Sequence, residues 1–192
     1  YIYLNNKKEN NMDPYKIIET RETNDAVIEV LQYDKLLGSS DARSAERLFF
    51  VQGTNMHLKM VRIRLKSSHV RTEPGALYYM HGKLEIKAST SGGFMSGLKR
   101  KALSGESMFV NEIHGSGDIY LEPTFGHFIL IDVDDDELIV DKSLFYGGTS
   151  GLDITAVMQK NISSAVFGGE GLFQTSIKGK GIAIIYSPVP ME

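Results

Sequence analysis

The sequence predicts an all-β domain: a sandwich or barrel made of a duplicated antiparallel β-unit, with at most a short helix near the N-terminus. Nineteen glycines against five prolines, together with many Val, Ile, Tyr and Phe residues, indicate short strands joined by tight turns. Short apolar runs recur between clusters of Gly, Ser and Asp, as in sandwiches and barrels. The second half of the chain also repeats the pattern of the first.

The N-terminal region, residues 1–56, is predicted to lie outside the repeats. Residues 1–25 are rich in Asn, Lys, Glu and Thr, and we expect a loosely held arm because they bury too little apolar surface to offset their ordering entropy. Val27–Leu31 is predicted as the first strand. Ser39–Leu48 is predicted as a short helix, because it opens with the Ser and Asp residues that cap helices.

From Leu58 onward, apolar and charged residues alternate. Because strand side chains point to opposite faces in turn, this predicts a half-buried strand with a basic, solvated face. We take that face as a candidate contact surface, formed by Arg62, Arg64 and Lys66. Further short apolar runs follow up to Tyr186.

Two segments of the chain match each other. Met60–Ala88 aligns with Phe128–Ala156, and after a short deletion Phe109–Gly117 aligns with Phe173–Gly181. We call these the first and the second repeat alignment. They predict a first β-unit over residues 57–124 and a second over residues 125–192, packed in one domain.

The repeat alignments also predict the core and the turns. The predicted core positions are Ile63, Leu65, Leu84, Ile86, Ile131, Val133, Leu152 and Ile154. The predicted structural turn residues are Gly105, Glu106, Gly115 and Gly117 with their counterparts Gly169, Glu170, Gly179 and Gly181.

Charge and composition narrow the classes of partner. A net charge of −3 gives no general attraction to polyanions and disfavours nucleic acid. No apolar run approaches the ~20 residues that span a bilayer, and the polar start lacks the apolar region of a signal peptide, so we expect a cytoplasmic protein. Because each β-unit leaves an apolar face and strand edges to be covered, we expect a homo-oligomer.

Motifs for cofactors and metals are absent from the sequence. The chain has no cysteine, and its five histidines, at positions 57, 69, 81, 114 and 127, lack metal-ligand spacing. Neither Gly115-x-Gly117 nor Gly179-x-Gly181 continues as a phosphate-binding loop, so both are interpreted as hairpin turns. The acidic run over residues 132–137 departs from a calcium loop and is interpreted as an acidic hairpin turn. We expect no metal and no cofactor.

Several separated segments resemble the altered-inheritance-of-mitochondria family, also called the mitochondrial biogenesis family, and most closely its bacterial members. These segments are Glu73–Ala88, Gly97–Phe109, Glu137–Gly147 and Phe167–Ile185. The resemblance implies a fold similar to the tryptophan RNA-binding attenuation protein (TRAP), a short relative of the double-stranded β-helix that often assembles into homo-oligomers. It implies no established enzyme activity.

The leading hypothesis for function is a non-enzymatic β-domain that acts as an oligomeric scaffold or interaction module, with its protein partner left open. The first alternative, from fold analogy, is a protein that binds a small ligand or single-stranded RNA. The second is a metal-independent hydrolase using Glu106 or Glu170, for which the sequence offers no nucleophile and no oriented base.

Overall fold

The computed structural model describes residues 14–36, 38, 40–90, 109–158 and 173–190. Within these residues the chain forms nine β-strands in one antiparallel sheet and one α-helix. The strands are β1 (Tyr15–Glu22), β2 (Ala26–Tyr33), β3 (Lys59–Thr72), β4 (Leu77–Thr90), β5 (Phe109–Leu121), β6 (His127–Asp141), β7 (Phe145–Thr149), β8 (Leu152–Met158) and β9 (Phe173–Ser187), and helix α1 spans Ala42–Gly53. The predicted all-β class is confirmed.

The N-terminal region begins with a hairpin. Residues 15–22, which were expected to lie in a loosely held arm, form β1 and pair along their length with β2, so that expectation is wrong for this segment. Thr23 closes the turn: its backbone N–H donates to the Ala26 carbonyl at 2.8 Å and its hydroxyl to the Asp25 carboxylate at 2.6 Å. Pairing with β2 supplies the ordering contacts that the polar composition of the segment could not indicate.

Helix α1 confirms the predicted short helix and extends past its predicted end at Leu48. The Asp41 side chain caps it by accepting a hydrogen bond from the Ser44 backbone N–H at 2.8 Å. None of the residues of α1 is buried, and Phe49 is 73% exposed.

Strand β3 holds the two halves of the sheet together. One of its edges pairs with β5, which in turn pairs with β4. The other edge pairs first with β2 and then, over residues 70–72, with β7. Strand β9 pairs with β6 on one side and with β7 and β8 on the other. Two groups of buried apolar side chains lie along this sheet, one mostly from β2, β3 and β5 and one mostly from β6 to β9.

The strand pairings of residues 127–187 correspond to those of residues 59–121 when the two segments are superimposed by the repeat alignments. The first alignment carries the span of β3 onto residues 127–140, which β6 occupies, and the span of β4 onto residues 145–158, which β7 and β8 occupy. The second alignment carries β5 onto β9. Strand registers correspond as well. Equivalent pairs are Leu65–Gly117 with Val133–Gly181, Val70–Ile113 with Leu138–Ile177, and Leu84–Gly115 with Leu152–Gly179.

Burial agrees with most of the predicted core positions. Five of them are buried: Ile63, Leu65, Val133, Leu152 and Ile154. Leu84 and Ile131 are half-buried. The prediction is wrong for Ile86, which is 47% exposed although its counterpart Ile154 is 3% exposed. The local sequence pattern around the two isoleucines is the same. Their difference in exposure therefore comes from the residues that pack against each of them.

Candidate interaction surface

The predicted basic face lies on β3, with its partner strand β2 alongside. Val61 and Ile63 point into the core, and Arg62, Arg64 and Lys66 point to the opposite side, as the alternation predicted. Antiparallel register places Glu29 of β2 directly opposite Arg62. A carboxylate therefore sits within the basic row, a relationship that the local pattern around β3 did not indicate.

Glu29 binds both arginines. Its Oε2 accepts from Arg62 Nε at 2.8 Å, its Oε1 accepts from Arg64 Nη2, and only 3% of its side chain is exposed. Burial alone would raise the pKa of Glu29, but the hydrogen bonds from the two arginines outweigh it and hold the pKa below the usual 4.5. One negative charge is thus shared by two guanidinium groups, and the net positive charge of the face comes mainly from half-exposed Arg64 and exposed Lys66.

Arg62 joins this ion-pair network to aromatic side chains. Its Nη1 donates to the Tyr15 hydroxyl at 2.9 Å, and its guanidinium carbon lies 5.6 Å from the centre of the Tyr15 ring. Burial opposes ionisation of Arg62, but Glu29 and Tyr120 bind the charged form, so the pKa of Arg62 is raised. The arginine is a permanently charged bridge between neighbouring strands.

Two tyrosines that interact with Arg62, Tyr15 and Tyr120, belong to a connected group of five. We call this group the tyrosine surface: Tyr15, Tyr33, Tyr78, Tyr79 and Tyr120. The Tyr79 and Tyr120 rings stack with centres 4.3 Å apart and planes 14° apart, while Tyr15 and Tyr33 meet edge to face at 5.8 Å. Tyr78 is 54% and Tyr79 48% exposed. Sequence analysis missed this surface, although the adjacent Tyr78 and Tyr79 on an alternating strand were a signal.

A histidine pair lies farther along β3 and β5. The His69 and His114 rings stack with centres 4.9 Å apart. His114 Nε2 lies 3.1 Å from one oxygen of the Glu112 carboxylate, and the other oxygen of that carboxylate accepts a hydrogen bond from Arg71 Nε. Burial, reinforced by the charge of Arg71, lowers the pKa of His69, whose buried Nε2 has no hydrogen-bond partner. Over the described ranges, no three His, Cys, Asp or Glu side chains are grouped to hold a metal ion.

An acidic groove of about 690 Å³ lies between the β1–β2 turn, β6 and the β7–β8 turn. Its wall includes Asp25, which accepts hydrogen bonds from the hydroxyls of Ser68, Thr23 and Ser150. These bonds outweigh burial and lower the pKa of Asp25. The carboxylate is anchored by donors of the protein itself, which suits a structural role in joining the N-terminal hairpin to the rest of the sheet.

The predicted turn glycines lie inside strands. Gly115 and Gly117 are in the middle of β5, and Gly179 and Gly181 are in the middle of β9, so the hairpin interpretation is wrong. Gly115 has φ 126° and Gly179 φ 114°, beside β-bulges in β3 and β6. Both positions also lack room for a side chain, because a Cβ would collide with a neighbouring backbone carbonyl.

The acidic run at residues 132–137 is likewise part of a strand. It lies within β6, where a bulge between Asp134 and Asp136 interrupts the pairing with β9, so the acidic hairpin interpretation is wrong. Lys180 and Lys178 of β9 form ion pairs with Asp134 and Glu137 across this segment. The remaining predicted turn residues, Gly105, Glu106, Gly169 and Glu170, lie outside the described residues.

Comparison with known proteins places the chain in a family. Residues 50–189 match the family described as mitochondrial biogenesis AIM24. The chain belongs to the AIM24 family. The uncharacterised protein M6_Spy0233 of Streptococcus pyogenes serotype M6 is 27% identical over 152 residues, covering 73% of this chain and 61% of that protein. The resemblance stated from the sequence is thereby confirmed.

A solved structure of similar fold comes from the same species. The crystal structure of protein SPYM3_0169 from Streptococcus pyogenes has a TM-score of 0.52 and 20% sequence identity to this AIM24 chain, covering 69% of this chain and 60% of that one. The chain thus spans about three fifths of the length of both relatives. None of the helices in the described ranges is long and apolar enough to cross a membrane.

Proposed function

We propose that this AIM24 chain is a non-enzymatic β-scaffold that works by association, as an oligomer or interaction module, through the tyrosine surface. The observation that carries the proposal is the exposure of Tyr78 and Tyr79 beside the stacked Tyr79–Tyr120 pair. Tyrosines supply large contact area at small cost in side-chain entropy, and they are enriched in the energetic centres of protein interfaces.

The surroundings of the tyrosines support a binding role. The Arg62–Glu29 ion pair anchors the centre of the tyrosine surface, so its rings are held in place before a partner arrives. A pre-organised surface loses less entropy on binding than a mobile one. The half-exposed Arg64 lies at its rim, where a charged side chain steers association more than it strengthens it.

Sedimentation velocity of the purified chain across a wide concentration range tests this function. We expect a sedimenting mass above that of the 21.3 kDa monomer, with an association weakened in the double variant Tyr78→Ser, Tyr79→Ser. Phe50→Ser is the matched control, since Phe50 is a 62% exposed aromatic residue on helix α1 and not a member of the tyrosine surface. A chain that stays monomeric at every concentration would refute self-assembly.

A second candidate function, binding of single-stranded RNA, is favoured by the stacked Tyr79–Tyr120 pair, which lies beside Arg62 on the face that also carries Arg64. Aromatic rings beside cationic side chains are the platform on which unpaired bases stack. The shared charge of Glu29 and the overall negative charge of the chain act against it. Fluorescence anisotropy of a labelled oligouridine at low and high salt tests it: salt-sensitive binding that Tyr79→Ser abolishes would establish this alternative.

A further inference from the structure

The junction between the two β-units is a short antiparallel pairing of β3 with β7. Val70, Arg71 and Thr72 of the first unit pair with Thr149, Gly148 and Gly147 of the second. Val70, Thr72 and Thr149 are at most 2% exposed. The junction is therefore a buried contact between the end of β3 and β7. Strand β7 corresponds to the first residues of β4.

The first repeat alignment gives each half of this junction a counterpart elsewhere in the chain. The end of β3 corresponds to Leu138–Val140 in β6, and β7 corresponds to Tyr79–His81 at the start of β4. Over the described ranges, β6 pairs only with β9 and β4 pairs only with β5. Each counterpart segment consequently has one unpaired edge, and an unpaired edge is a template for another strand.

Both counterpart segments expose apolar side chains. Ile139 is 50% and Tyr79 48% exposed. Farther along β4, Ile86 is 47% exposed, whereas its counterpart Ile154 is buried in a cluster that includes Val110 of the first unit. Ile154 of β8 thus shares a buried cluster with a residue of the first unit, while the equivalent Ile86 of β4 is left about half exposed.

We propose that these two segments join across two copies of the chain, Leu138–Val140 of one copy pairing with Tyr79–His81 of the other. Transfer of the internal register puts Leu138 opposite His81, Ile139 opposite Met80 and Val140 opposite Tyr79. This inference rests on the proposed scaffold function and names its partner, a second copy of the chain that supplies the missing β-unit. The contact is head to tail, because its two sides differ.

Side-chain chemistry on both sides of the contact suits this register. In the internal junction, Arg71 Nη1 of the first unit donates to the Leu152 carbonyl. The counterpart of Arg71 is Ile139, so the contact between copies has an apolar side chain where the internal junction has an arginine. Continuing the register places Lys83 opposite Asp136, which adds an attractive pair of charges.

Cysteine cross-linking tests the register directly, because the chain contains no cysteine. Two single variants, Met80→Cys and Ile139→Cys, are mixed and oxidised. Directly opposed strand residues lie within the Cα separation that a disulfide requires, so we expect a covalent heterodimer. Met80→Cys mixed with Asp141→Cys is the control for register, because Asp141 lies beyond Ile139 on the same face of the strand and out of alignment with Met80. We expect several-fold less cross-linking from the control mixture.

A charge placed on the edge gives an independent test. Ile139→Lys should weaken self-association measured by sedimentation by about tenfold or more, since a lysine on an edge strand opposes pairing. Ile17→Lys is the matched control, because Ile17 is the same residue type at 47% exposure on β1. Self-association that tolerates Ile139→Lys and yields no heterodimer would overturn this contact while leaving the scaffold function standing. A purely monomeric chain would overturn both this contact and self-assembly through the tyrosine surface.

Discussion

Ser67 and Asp135 occupy equivalent positions, one in the bulge of β3 and the other in the bulge of β6, and both have left-handed backbone, with φ 51° and 57°. Each lies beside a glycine-containing strand, β5 or β9, at the point where the pairing register shifts. The same strained backbone angle therefore recurs at matching positions of the two units, although the two residues differ in type. This agreement in backbone geometry favours duplication independently of the sequence match.

The left-handed angle of Asp135 predicts a stabilising substitution. Asp135→Gly should raise the free energy of unfolding by about 0.5–1 kcal/mol, because relief of the strain of a non-glycine residue exceeds the entropy that glycine loses on folding. Urea unfolding measures the change. Asp134→Gly is the control: Asp134 is not among the residues with positive φ, so glycine should lower stability there. A loss of stability in Asp135→Gly would contradict the argument.

The glycines at the bulges predict equal sensitivity in the two halves of the sheet. Gly115→Ala and Gly179→Ala should each lower the free energy of unfolding by at least about 2 kcal/mol, because a side chain at positive φ would also collide with a backbone carbonyl. Gly53→Ala, in helix α1 with open space around it, should be neutral or stabilising. Thermal unfolding of the three variants checks this, and a tolerated alanine at either strand position would refute it.

The buried ion pair predicts a pH-dependent loss of stability. Glu29→Gln should destabilise the protein at neutral pH by about 3 kcal/mol, the lower end for a broken buried pair because Arg64 is half exposed. The pKa of Glu29 is lowered in the folded state, so its stabilising effect is present above the usual 4.5 and is lost as pH falls through the folded value.

Urea unfolding at a series of pH values measures this effect. The difference in stability between wild type and Glu29→Gln should shrink as the solution is acidified below the ordinary pKa of glutamate. Glu85→Gln provides the control, because Glu85 forms an exposed ion pair with Lys87 and should matter little. A difference that stays constant across the acid range would exclude Glu29 as its source.

Tyr146 predicts an alkaline transition. Burial, helped by the nearby charges of Glu122 and Glu73, raises the pKa of Tyr146 to about 12. Because the folded value exceeds the ordinary 10, the neutral phenol stabilises the protein below pH 10, and this effect is lost as pH rises towards 12. The ultraviolet difference titration between wild type and Tyr146→Phe should therefore have its midpoint near 12. A midpoint near 10 would contradict the buried environment.

Two isoleucines at equivalent positions predict unequal effects of truncation. Ile154→Ala should lower the free energy of unfolding by about 2–4 kcal/mol, because it leaves a cavity in the core. Ile86→Ala should cost less than about 1 kcal/mol in the monomer, because the side chain is half exposed. Denaturant unfolding at low protein concentration compares them. Equal losses would show that Ile86 is covered in solution even in the monomer.

Local pattern predicted the strands well, because alternation and glycine placement act over a few residues. It indicated the outward direction of Arg62 and the inward direction of Ile63 before any strand partner was known. It could not predict Glu29 beneath Arg62 and Arg64, or the stack of Tyr79 on Tyr120, because these contacts join strands separated by tens of residues. The hairpin interpretation of Gly115 and Gly179 failed for a related reason: a glycine required by a bulge on the neighbouring strand looks, in sequence, like one required by a turn.

The sequence by itself determined the all-β class, the short helix, the two repeat alignments and most of the core, since each depends on periodicity along one strand. Which of two equivalent apolar residues is buried, Ile86 or Ile154, was decided by the tertiary structure alone. Ile86 and Ile154 have the same pattern of neighbours in sequence, yet Ile154 is buried in a cluster that includes Val110 of the first unit, whereas Ile86 is 47% exposed. Burial depends on what packs against a strand, and that is settled only when strands distant in sequence come together.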